Sequence, residues 1–293
     1  MKARSWITRH QLVAYLSLTV GWSWLFLLAA ILCAPGAEPF VATVLRVLSG
    51  VGPALVGIAL VYVTTGRDGR RDYWRRAIDF RRIGGRWYAV VFLTLPLLTA
   101  LSALFDILFG GRGIGLEAAA DLVGRPLMIL PYLVFILFFG PVPEELGWRG
   151  YALDRMQAKW SALTSSLVLG AVWAIWHLPL FFVENTYQYN LDFGTLRSWI
   201  FLASIVPQAL VITWIYNNTQ RSTLSAILFH FMINLAGELF ELTAAAEMCQ
   251  FVLWIVLAVL LIVVFGPRTL AWGKVVGSPL DSPPGTGSDR TLS

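Results

Sequence analysis

Long apolar runs separated by short polar segments dominate this chain. A helix needs about 20 mostly apolar residues to cross roughly 30 Å of hydrocarbon, and eight segments approach or exceed that length. They are residues 12–33, 41–64, 87–109, 126–148, 162–182, 199–216, 223–240 and 251–266. The pattern therefore predicts an all-α, polytopic membrane protein with about eight transmembrane helices.

The composition supports a membrane protein. Of the 293 residues, 57% are hydrophobic and 13% are charged, whereas a soluble domain carries roughly a quarter charged residues. No polar stretch is long enough for a second domain, so we expect residues 1–272 to form one transmembrane helical domain. Residues 273–293 are rich in Pro, Gly and Ser, which predicts a disordered C-terminal tail.

Basic loops alternate with neutral or acidic loops along the chain. Segment 65–86 contains eight arginines, and further Lys and Arg residues precede the first and seventh apolar segments and follow the fourth and eighth. The intervening loops, 34–40, 110–125, 183–198 and 241–250, are neutral or acidic. The positive-inside rule therefore puts both termini in the cytoplasm. Because this topology and contact with membrane lipids explain the net charge of +5, we expect no nucleic-acid partner.

Two adjacent glutamates interrupt the fourth apolar segment. An ionised carboxylate at membrane depth costs about 2.5 kcal/mol or more unless it is paired. Arg149 follows Glu145 by four residues, so the two share a helical face and can neutralise each other. Glu144 points about 100° away around the helix and is left to act as a general base. The alternative for this motif is a purely structural Glu–Arg clamp between helices.

Two of the three histidines lie inside later apolar segments. His177 follows Trp173 by one helical turn, and Asn234 follows His230 by one turn, so each pair shares a face. Such a histidine can also be a structural polar contact between helices. Together with Glu144 the set suits hydrolysis, with Glu144 taking a proton from water, aided by His177. Donors on His230 and Asn234 would then hold the oxyanion.

A zinc site is the alternative reading of the same residues, because two histidines and a glutamate form a known catalytic ligand set. The ligands would be Glu144, His177 and His230. However, the chain contains no His-Glu-x-x-His motif, and its two cysteines have no metal-type spacing. We therefore expect that no cofactor is required, with zinc as the less favoured option.

Three short motifs resemble those of a known family. Glu144-Glu145-Leu-Gly-Trp-Arg149 is similar to the Glu-Glu-x-x-x-Arg motif of the CPBP family, which includes the type II CAAX prenyl endopeptidases and the Abi proteins. Trp173-Ala-Ile-Trp-His177 resembles its aromatic-x-x-x-His motif, with Trp where Phe is commoner. His230-Phe-Met-Ile-Asn234 resembles its His-x-x-x-Asn motif. We expect the family core at about residues 126–240.

The resemblance implies an intramembrane endopeptidase of the plasma membrane whose site faces the cytoplasm. Its substrate would be a peptide or protein, with lipidated, CAAX-like C-termini as one candidate class. The implied catalytic residues are Glu144, His177, His230 and Asn234, supported by Glu145, Arg149 and Trp173. The alternatives are a non-catalytic membrane partner or self-immunity protein, and a transporter, although many transporters carry internal repeats and none is evident here.

Straight helices would not bring this set of side chains together. Glu144 and His230 would lie near the cytoplasmic ends of their spans, whereas His177 would lie roughly 20 Å into its own span. Pro141 and Pro143 immediately precede the glutamates, and proline disturbs a helix. We therefore predict a helix break at these prolines that lets the side chains meet in one cavity.

Overall fold

The computed structural model describes residues 2–33 and 39–272, and helices make up most of it. The α-helices are α1 (Lys2–Arg9), α2 (Gln11–Cys33), α3 (Pro39–Gly50), α4 (Gly52–Thr64), α5 (Arg67–Ile78), α6 (Gly85–Leu108), α7 (Glu117–Gly124), α8 (Pro126–Phe138), α9 (Pro141–Gly147), α10 (Leu153–Gln157), α11 (Ala162–His177), α12 (Tyr187–Asn190), α13 (Leu196–Asn218), α14 (Thr223–Leu239) and α15 (Ala244–Phe265). Two-residue strands, β1 (Ile114–Gly115) and β2 (Glu241–Leu242), pair antiparallel. The predicted all-α architecture is confirmed, and the predicted tail lies outside the described residues.

Each of the eight predicted apolar segments coincides with a helix or with a series of helices. Six helical segments among the described residues are long and apolar enough to cross a membrane. The pair α3 and α4, bent by 41° at its break, would make a seventh span. α14 is apolar but shorter than a full span. The chain is therefore a polytopic membrane protein, with six or seven spans of full length in its described part.

The fourth span is longer than its hydropathy predicted. The prediction ended this span at residue 148, whereas the helical segment runs from Pro126 to Gln157 and includes a π-helical turn at Trp148–Ala152. Glu144 therefore lies well inside the span, roughly 20 Å from the Gln157 end at 1.5 Å per residue. The glutamate pair is thus deep in the helix bundle rather than at its edge.

A break inside this span lies where the prolines predicted it. α8 ends at Phe138, and α9 begins at Pro141 after the non-helical Gly140. The pyrrolidine ring clashes with the preceding turn, and proline lacks the N–H that would continue the ladder of hydrogen bonds. The break predicted from Pro141 and Pro143 is therefore confirmed.

The basic loops meet at one end of the helix bundle. Arg82 of the loop after α5 donates to the Gln220 carbonyl at 2.8 Å. Arg76 of α5 pairs with Asp154 at 2.8 Å, and Asp154 also pairs with Arg221. We call this the arginine-rich end, and it comprises residues 65–86, 153–161, 217–222 and 266–272.

The neutral and acidic loops meet at the other end. β1, which precedes α7, pairs with β2, which follows α14. Arg197 at the start of α13 pairs with Glu247 at the start of α15, at 2.6 Å. Arg46 of α3 donates to the Asn185 carbonyl. We call residues 110–125, 183–197 and 238–247 the opposite end. The structure therefore separates the two kinds of loop as the charge alternation requires.

Glycines allow the central helices to approach closely. A Cβ atom on Gly147 would lie 2.4 Å from the carbonyl oxygen of Pro53, and one on Gly170 would lie 2.9 Å from the Cα of Val206. Membrane helices commonly pack through small residues in this way. The two contacts hold α9 against α4 and α11 against α13, which positions the segments that carry the glutamates and His177.

Replacing Gly147 should therefore weaken the fold. We expect Gly147→Ala to destabilise the protein by about 1–3 kcal/mol, because the new methyl group would overlap backbone that cannot move apart cheaply. Thermal unfolding of the detergent-solubilised protein measures this effect. Gly21→Ala is the matched control, since a Cβ there meets no atom within 4 Å. Equal melting temperatures for the two variants would contradict the close packing of α9 and α4.

Candidate active site

A cavity of about 870 Å³ lies within the helix bundle. Residues of α3, α6, α8, α9, α11, α13, α14 and α15 contribute to its wall. The four predicted catalytic residues all line it: Glu144 from α9, His177 from α11, and His230 and Asn234 from α14. The structure therefore brings the predicted set together from three separate helices.

The two adjacent glutamates have different partners. One guanidinium nitrogen of Arg149 donates to both carboxylate oxygens of Glu145, at 2.7 and 3.0 Å, and both side chains are 0% exposed. Glu144 instead accepts from the indole N–H of Trp173 at 2.7 Å. The pairing predicted between Glu145 and Arg149 is confirmed. Glu144 is held by a neutral donor, so its negative charge is not consumed in that ion pair.

Both histidines are oriented through Nδ1. In His177 this atom lies 2.8 Å from the carbonyl oxygen of Trp173. In His230 it lies 3.0 Å from Oε1 of Glu145. A carbonyl and an arginine-paired carboxylate can only accept, so Nδ1 carries the proton in each ring. The Nε2 atom of each histidine is consequently the one that remains for chemistry.

Trp173 packs against most of the polar groups in the site. Its ring centroid lies 5.9 Å from that of His177 and 5.0 Å from that of His230. The Arg149 guanidinium lies 5.0 Å from the same ring, within the range of a cation–π interaction. Helical periodicity predicted the contact with His177. The hydrogen bond to Glu144 depends on how α11 packs against α9, and no sequence pattern specifies that.

Asn234 lies beside the break in the fourth span. A Cβ atom on Gly140 would lie 2.8 Å from the amide nitrogen of Asn234, so this glycine leaves room for the amide. Asn234 and His230 are one turn apart on α14 and both line the cavity. The helix break at Gly140 therefore leaves space in the cavity wall for the amide of Asn234, the predicted oxyanion donor.

Sequence reasoning missed the polar residues that α13 contributes. Ser204 and Gln208 line the cavity, and the amide of Gln208 donates to the Ser204 hydroxyl at 3.3 Å. The available signal was a glutamine inside the apolar segment 199–216. Polar side chains in a membrane span usually face the bundle interior or a water-filled cavity.

The geometry gives no support to the zinc alternative. Within residues 2–33 and 39–272, no group of three or more His, Cys, Asp or Glu side chains is arranged to hold a metal ion. The ligands considered above, Glu144, His177 and His230, therefore do not form such a group. The metal-free mechanism stays a prediction for experiment.

A buried ion cluster closes the arginine-rich end. Arg76, Asp154 and Arg221 have side chains that are 6%, 6% and 8% exposed, and the Tyr216 hydroxyl donates to Asp154 at 2.8 Å. Burial opposes the charge of Arg221, yet Asp154 raises the pKa of this guanidinium above its usual value. The cluster therefore stays ionised and ties together α5, α10 and the loop before α14.

The cavity opens at the opposite end of the bundle. The exposed residues Tyr187, Asn190, Arg197 and Glu241 line it there, and we call these four residues the cavity mouth. Among the described residues, none that lines the cavity belongs to the arginine-rich end. The predicted cytoplasmic termini and the predicted cytoplasm-facing site both stay predictions for a topology experiment.

The buried pair of Glu145 and Arg149 should be sensitive to removal of one partner. Arg149→Met is expected to destabilise the protein by about 3–5 kcal/mol, because it leaves a buried carboxylate without its guanidinium. The double variant Glu145→Gln/Arg149→Met should recover much of this loss, since no charge is then left unpaired. Thermal or denaturant unfolding in detergent provides the measurement. Equal losses for the single and double variants would contradict the ion pair.

Comparison with known proteins matches the stretch that carries the site. Residues 126–236 match a family model described as type II CAAX prenyl endopeptidase Rce1-like. The chain is also similar to CAAX prenyl protease 2 of Methanococcus maripaludis. The two are 32% identical over 207 residues, which cover 68% of this chain and 73% of that protein. The family match spans all four residues that were proposed as catalytic.

Proposed function

Because the chain belongs to the Rce1-like family of type II CAAX prenyl endopeptidases, we propose that it hydrolyses a peptide bond with a water molecule activated inside the membrane. The resemblance seen in its motifs is confirmed, and the chain is a protease of this family. The convergence of Glu144, His177, His230 and Asn234 on one cavity supports the proposed mechanism. No observation on the described residues favours a transporter or a non-catalytic membrane partner.

Glu144 is the proposed general base. Its neighbour Glu145 is already engaged by Arg149 and His230, so it is poorly placed to accept a further proton. Trp173 holds one oxygen of the Glu144 carboxylate, which leaves the other oxygen for a water molecule. As this carboxylate takes a proton from the water, the water oxygen attacks the carbonyl carbon of the scissile bond.

His177 is proposed to orient the same water. Its Nδ1–H donates to the Trp173 carbonyl, so in the neutral ring Nε2 is unprotonated and accepts a hydrogen bond. A water molecule between this nitrogen and Glu144 donates one O–H to each of them. Two acceptors then fix the direction of its lone pair, where Glu144 alone would leave the water free to rotate. That arrangement reduces the freedom that the nucleophile must lose during attack.

His230 and Asn234 are the proposed donors to the oxyanion. Because His230 already donates from Nδ1 to Glu145, it can donate from Nε2 only as an imidazolium. The carboxylates of Glu144 and Glu145 together balance the positive charges of this imidazolium and of Arg149. The amide of Asn234 supplies a second, neutral donor. Donors fixed in a site shielded from bulk water stabilise developing charge strongly, and loss of one typically costs 10²–10³ in rate.

Collapse of the tetrahedral intermediate completes the reaction. The carbon–nitrogen bond breaks as the carbonyl re-forms, and the leaving nitrogen takes the proton that Glu144 accepted from water. The products are a carboxylic acid, which ionises, and an amine. Glu144 returns to its carboxylate form, so the site needs only another water molecule for the next cycle.

A lipid-modified peptide is the proposed substrate class, and the name of the Methanococcus maripaludis relative, CAAX prenyl protease 2, supports it. Phe135 and Phe139 line the cavity and are also 57% and 55% exposed on the outer surface of the bundle. The apolar wall of the cavity is therefore continuous with a surface that faces lipid. A lipid chain could lie along this wall while the peptide occupies the polar part. We propose the plasma membrane as the location.

Loss of the Glu144 carboxylate should abolish catalysis. Glu144→Gln keeps the shape and the hydrogen bond from Trp173 but cannot accept a proton, so we expect a rate loss of about 10²–10⁴. The assay is cleavage of a panel of farnesylated and plain peptides by the purified protein. Glu241→Gln removes a carboxylate at the cavity mouth and should leave the rate close to that of wild type. A Glu144→Gln variant as active as wild type would refute the proposed base.

Removal of metal ions should leave the activity unchanged. Water activation in this mechanism depends on Glu144 and His177, not on a Lewis acid. We therefore expect the same cleavage rate before and after dialysis against a strong chelator, together with a zinc content well below one ion per chain by elemental mass spectrometry. Activity that disappears on chelation and returns with Zn²⁺ would require the alternative mechanism.

A further inference from the structure

We propose that Arg46 binds a carboxylate of the peptide substrate and thereby makes the protein selective for peptides that carry one near the scissile bond. This inference rests on the proposed function, because it takes a peptide as the substrate of the cavity. It concerns a property that the proposed chemistry leaves open, namely which group besides the reacting bond the protein recognises. The observations that support it are the hydrogen bonds of Arg46, its depth in the cavity and the charges of the cavity wall.

The two arginines in the described part of the cavity wall have different partners. They are Arg46 of α3 and Arg197 of α13. Arg197 is neutralised by Glu247, to which it donates two hydrogen bonds of 2.6 and 2.7 Å. Arg46 donates to neutral acceptors, the Asn185 carbonyl at 3.1 Å and the Thr43 hydroxyl at 3.3 Å. In the part of the chain that the structure describes, Arg46 takes part in no ion pair. Its positive charge is therefore available to an anionic ligand.

The guanidinium of Arg46 keeps enough donors for a carboxylate. An arginine has five N–H donors, and the two hydrogen bonds use one donor on each terminal nitrogen. Three N–H groups remain, and a guanidinium binds a carboxylate through two parallel hydrogen bonds. The bond to Asn185 also ties the side chain to the loop before α12. A side chain that is already held in place loses less freedom when its ligand binds.

One face of α3 lines the cavity, and Arg46 belongs to it. Ser49 and Gly50 follow Arg46 by three and four residues and line the cavity as well, which is the spacing of a single helical face. Gly50 is the last residue of α3, and the chain then bends by 41° into α4. Arg46 is therefore part of the cavity wall.

Contacts between α4 and the fourth span show that the two run in the same direction. A Cβ atom on Gly147 would lie 2.4 Å from the carbonyl oxygen of Pro53, so these two residues lie at one depth. A Cβ atom on Gly57 would lie 3.5 Å from the Cβ of Tyr151. From the first contact to the second, the position advances by four residues along both segments. Residues that precede the first contact by the same number therefore lie at a similar depth.

Arg46 consequently lies about one helical turn from the depth of Glu144. Gly50 and Glu144 each precede the first contact by three residues, so they share a depth. Arg46 is a further four residues, or roughly 6 Å, along α3, towards the opposite end where Asn185 lies. An extended peptide covers about 3.3–3.6 Å per residue. A carboxylate bound to Arg46 would thus lie within a few residues of the bond that is attacked beside Glu144.

Acidic side chains disfavour a carboxylate elsewhere near the opposite end of the cavity. Glu238, Glu241 and Glu247 line the cavity on the side of α14, β2 and α15. An anionic group placed beside Glu238 or Glu241 would be repelled, whereas Arg46 on α3 would attract it. The distribution of charge therefore directs an anionic group of the substrate to Arg46.

The selectivity can be tested with pairs of peptides that differ in one carboxylate. Each pair is built on a peptide that the wild-type protein cleaves, chosen among farnesylated and plain peptides. The first pair compares a free C-terminus with its primary amide. The second pair has an amidated C-terminus and compares a Glu side chain near the scissile bond with Gln. For one of the pairs, we expect KM to be about 10–100-fold lower for the acid than for the amide, because hydrogen bonds to charged groups are strong. The pair that shows this preference identifies the source of the carboxylate.

Substitution of Arg46 should remove the preference. We expect Arg46→Gln to raise KM for the acid to the value for the amide and to leave kcat, and cleavage of the amide, unchanged. Arg46→Lys keeps the charge and should recover part of the preference. Arg112→Gln is the matched control, since Arg112 is exposed at the same end and does not line the cavity. Equal losses on acid and amide, or a wild type without preference in either pair, would overturn the inference and leave the proposed function standing.

A binding measurement separates this inference from the proposed function. Fluorescein-labelled pairs are titrated with Glu144→Gln and with the double variant Arg46→Gln/Glu144→Gln, and fluorescence anisotropy gives Kd. The single variant should bind the acid about 10–100-fold more tightly than the double variant does. A wild type that cleaves no peptide would refute the proposed function. The same titration, run on the whole panel, would still decide the role of Arg46, and equal affinities of the two variants would overturn it.

Discussion

The ion pair between Glu145 and Arg149 allows two neighbouring carboxylates to lie inside an apolar bundle. Both side chains of the pair are 0% exposed, and an unpaired charge at such a depth costs several kcal/mol. Arg149 lies one helical turn after Glu145 and on the same face, whereas Glu144 points in another direction. The two carboxylates therefore have different hydrogen-bond partners. Glu145 becomes the support of His230. Glu144 is left with the neutral indole of Trp173, which suits a group that must gain and lose a proton.

The surrounding packing closes the helix bundle on one side of this ion pair and leaves a cavity on the other. Gly147 allows α9 to pack closely against α4. The break at Gly140 leaves space for the Asn234 amide beside the glutamates. The cluster around Asp154 closes the bundle on the arginine-rich end, whereas the cavity extends to the opposite end. Water can therefore enter the cavity from the opposite end, and Phe135 and Phe139 connect the cavity with the surface that faces lipid.

The sequence alone predicted the helices, the proline break and the four polar residues of α9, α11 and α14 that line the cavity, because these depend on local periodicity and on motifs. It predicted the partner of Glu145 correctly, since Arg149 lies one turn away on the same helix. It missed the contacts of Glu144 with Trp173 and of Glu145 with His230, which depend on how three helices rotate against one another. It also ended the fourth span too early. The charged residues after position 148 look like a loop, yet they are paired and buried, so the span continues to Gln157.

The most direct test of the proposed mechanism is a structure of the protein bound to a phosphinic peptide, whose tetrahedral phosphorus resembles the intermediate of peptide hydrolysis. The proposed mechanism requires one phosphinyl oxygen within hydrogen-bond distance of Glu144 and the other between the Nε2 atom of His230 and the amide of Asn234. The peptide should run from that point towards the cavity mouth. A ligand bound with both oxygens away from Glu144, or held on the far side of the Asp154 cluster, would contradict it.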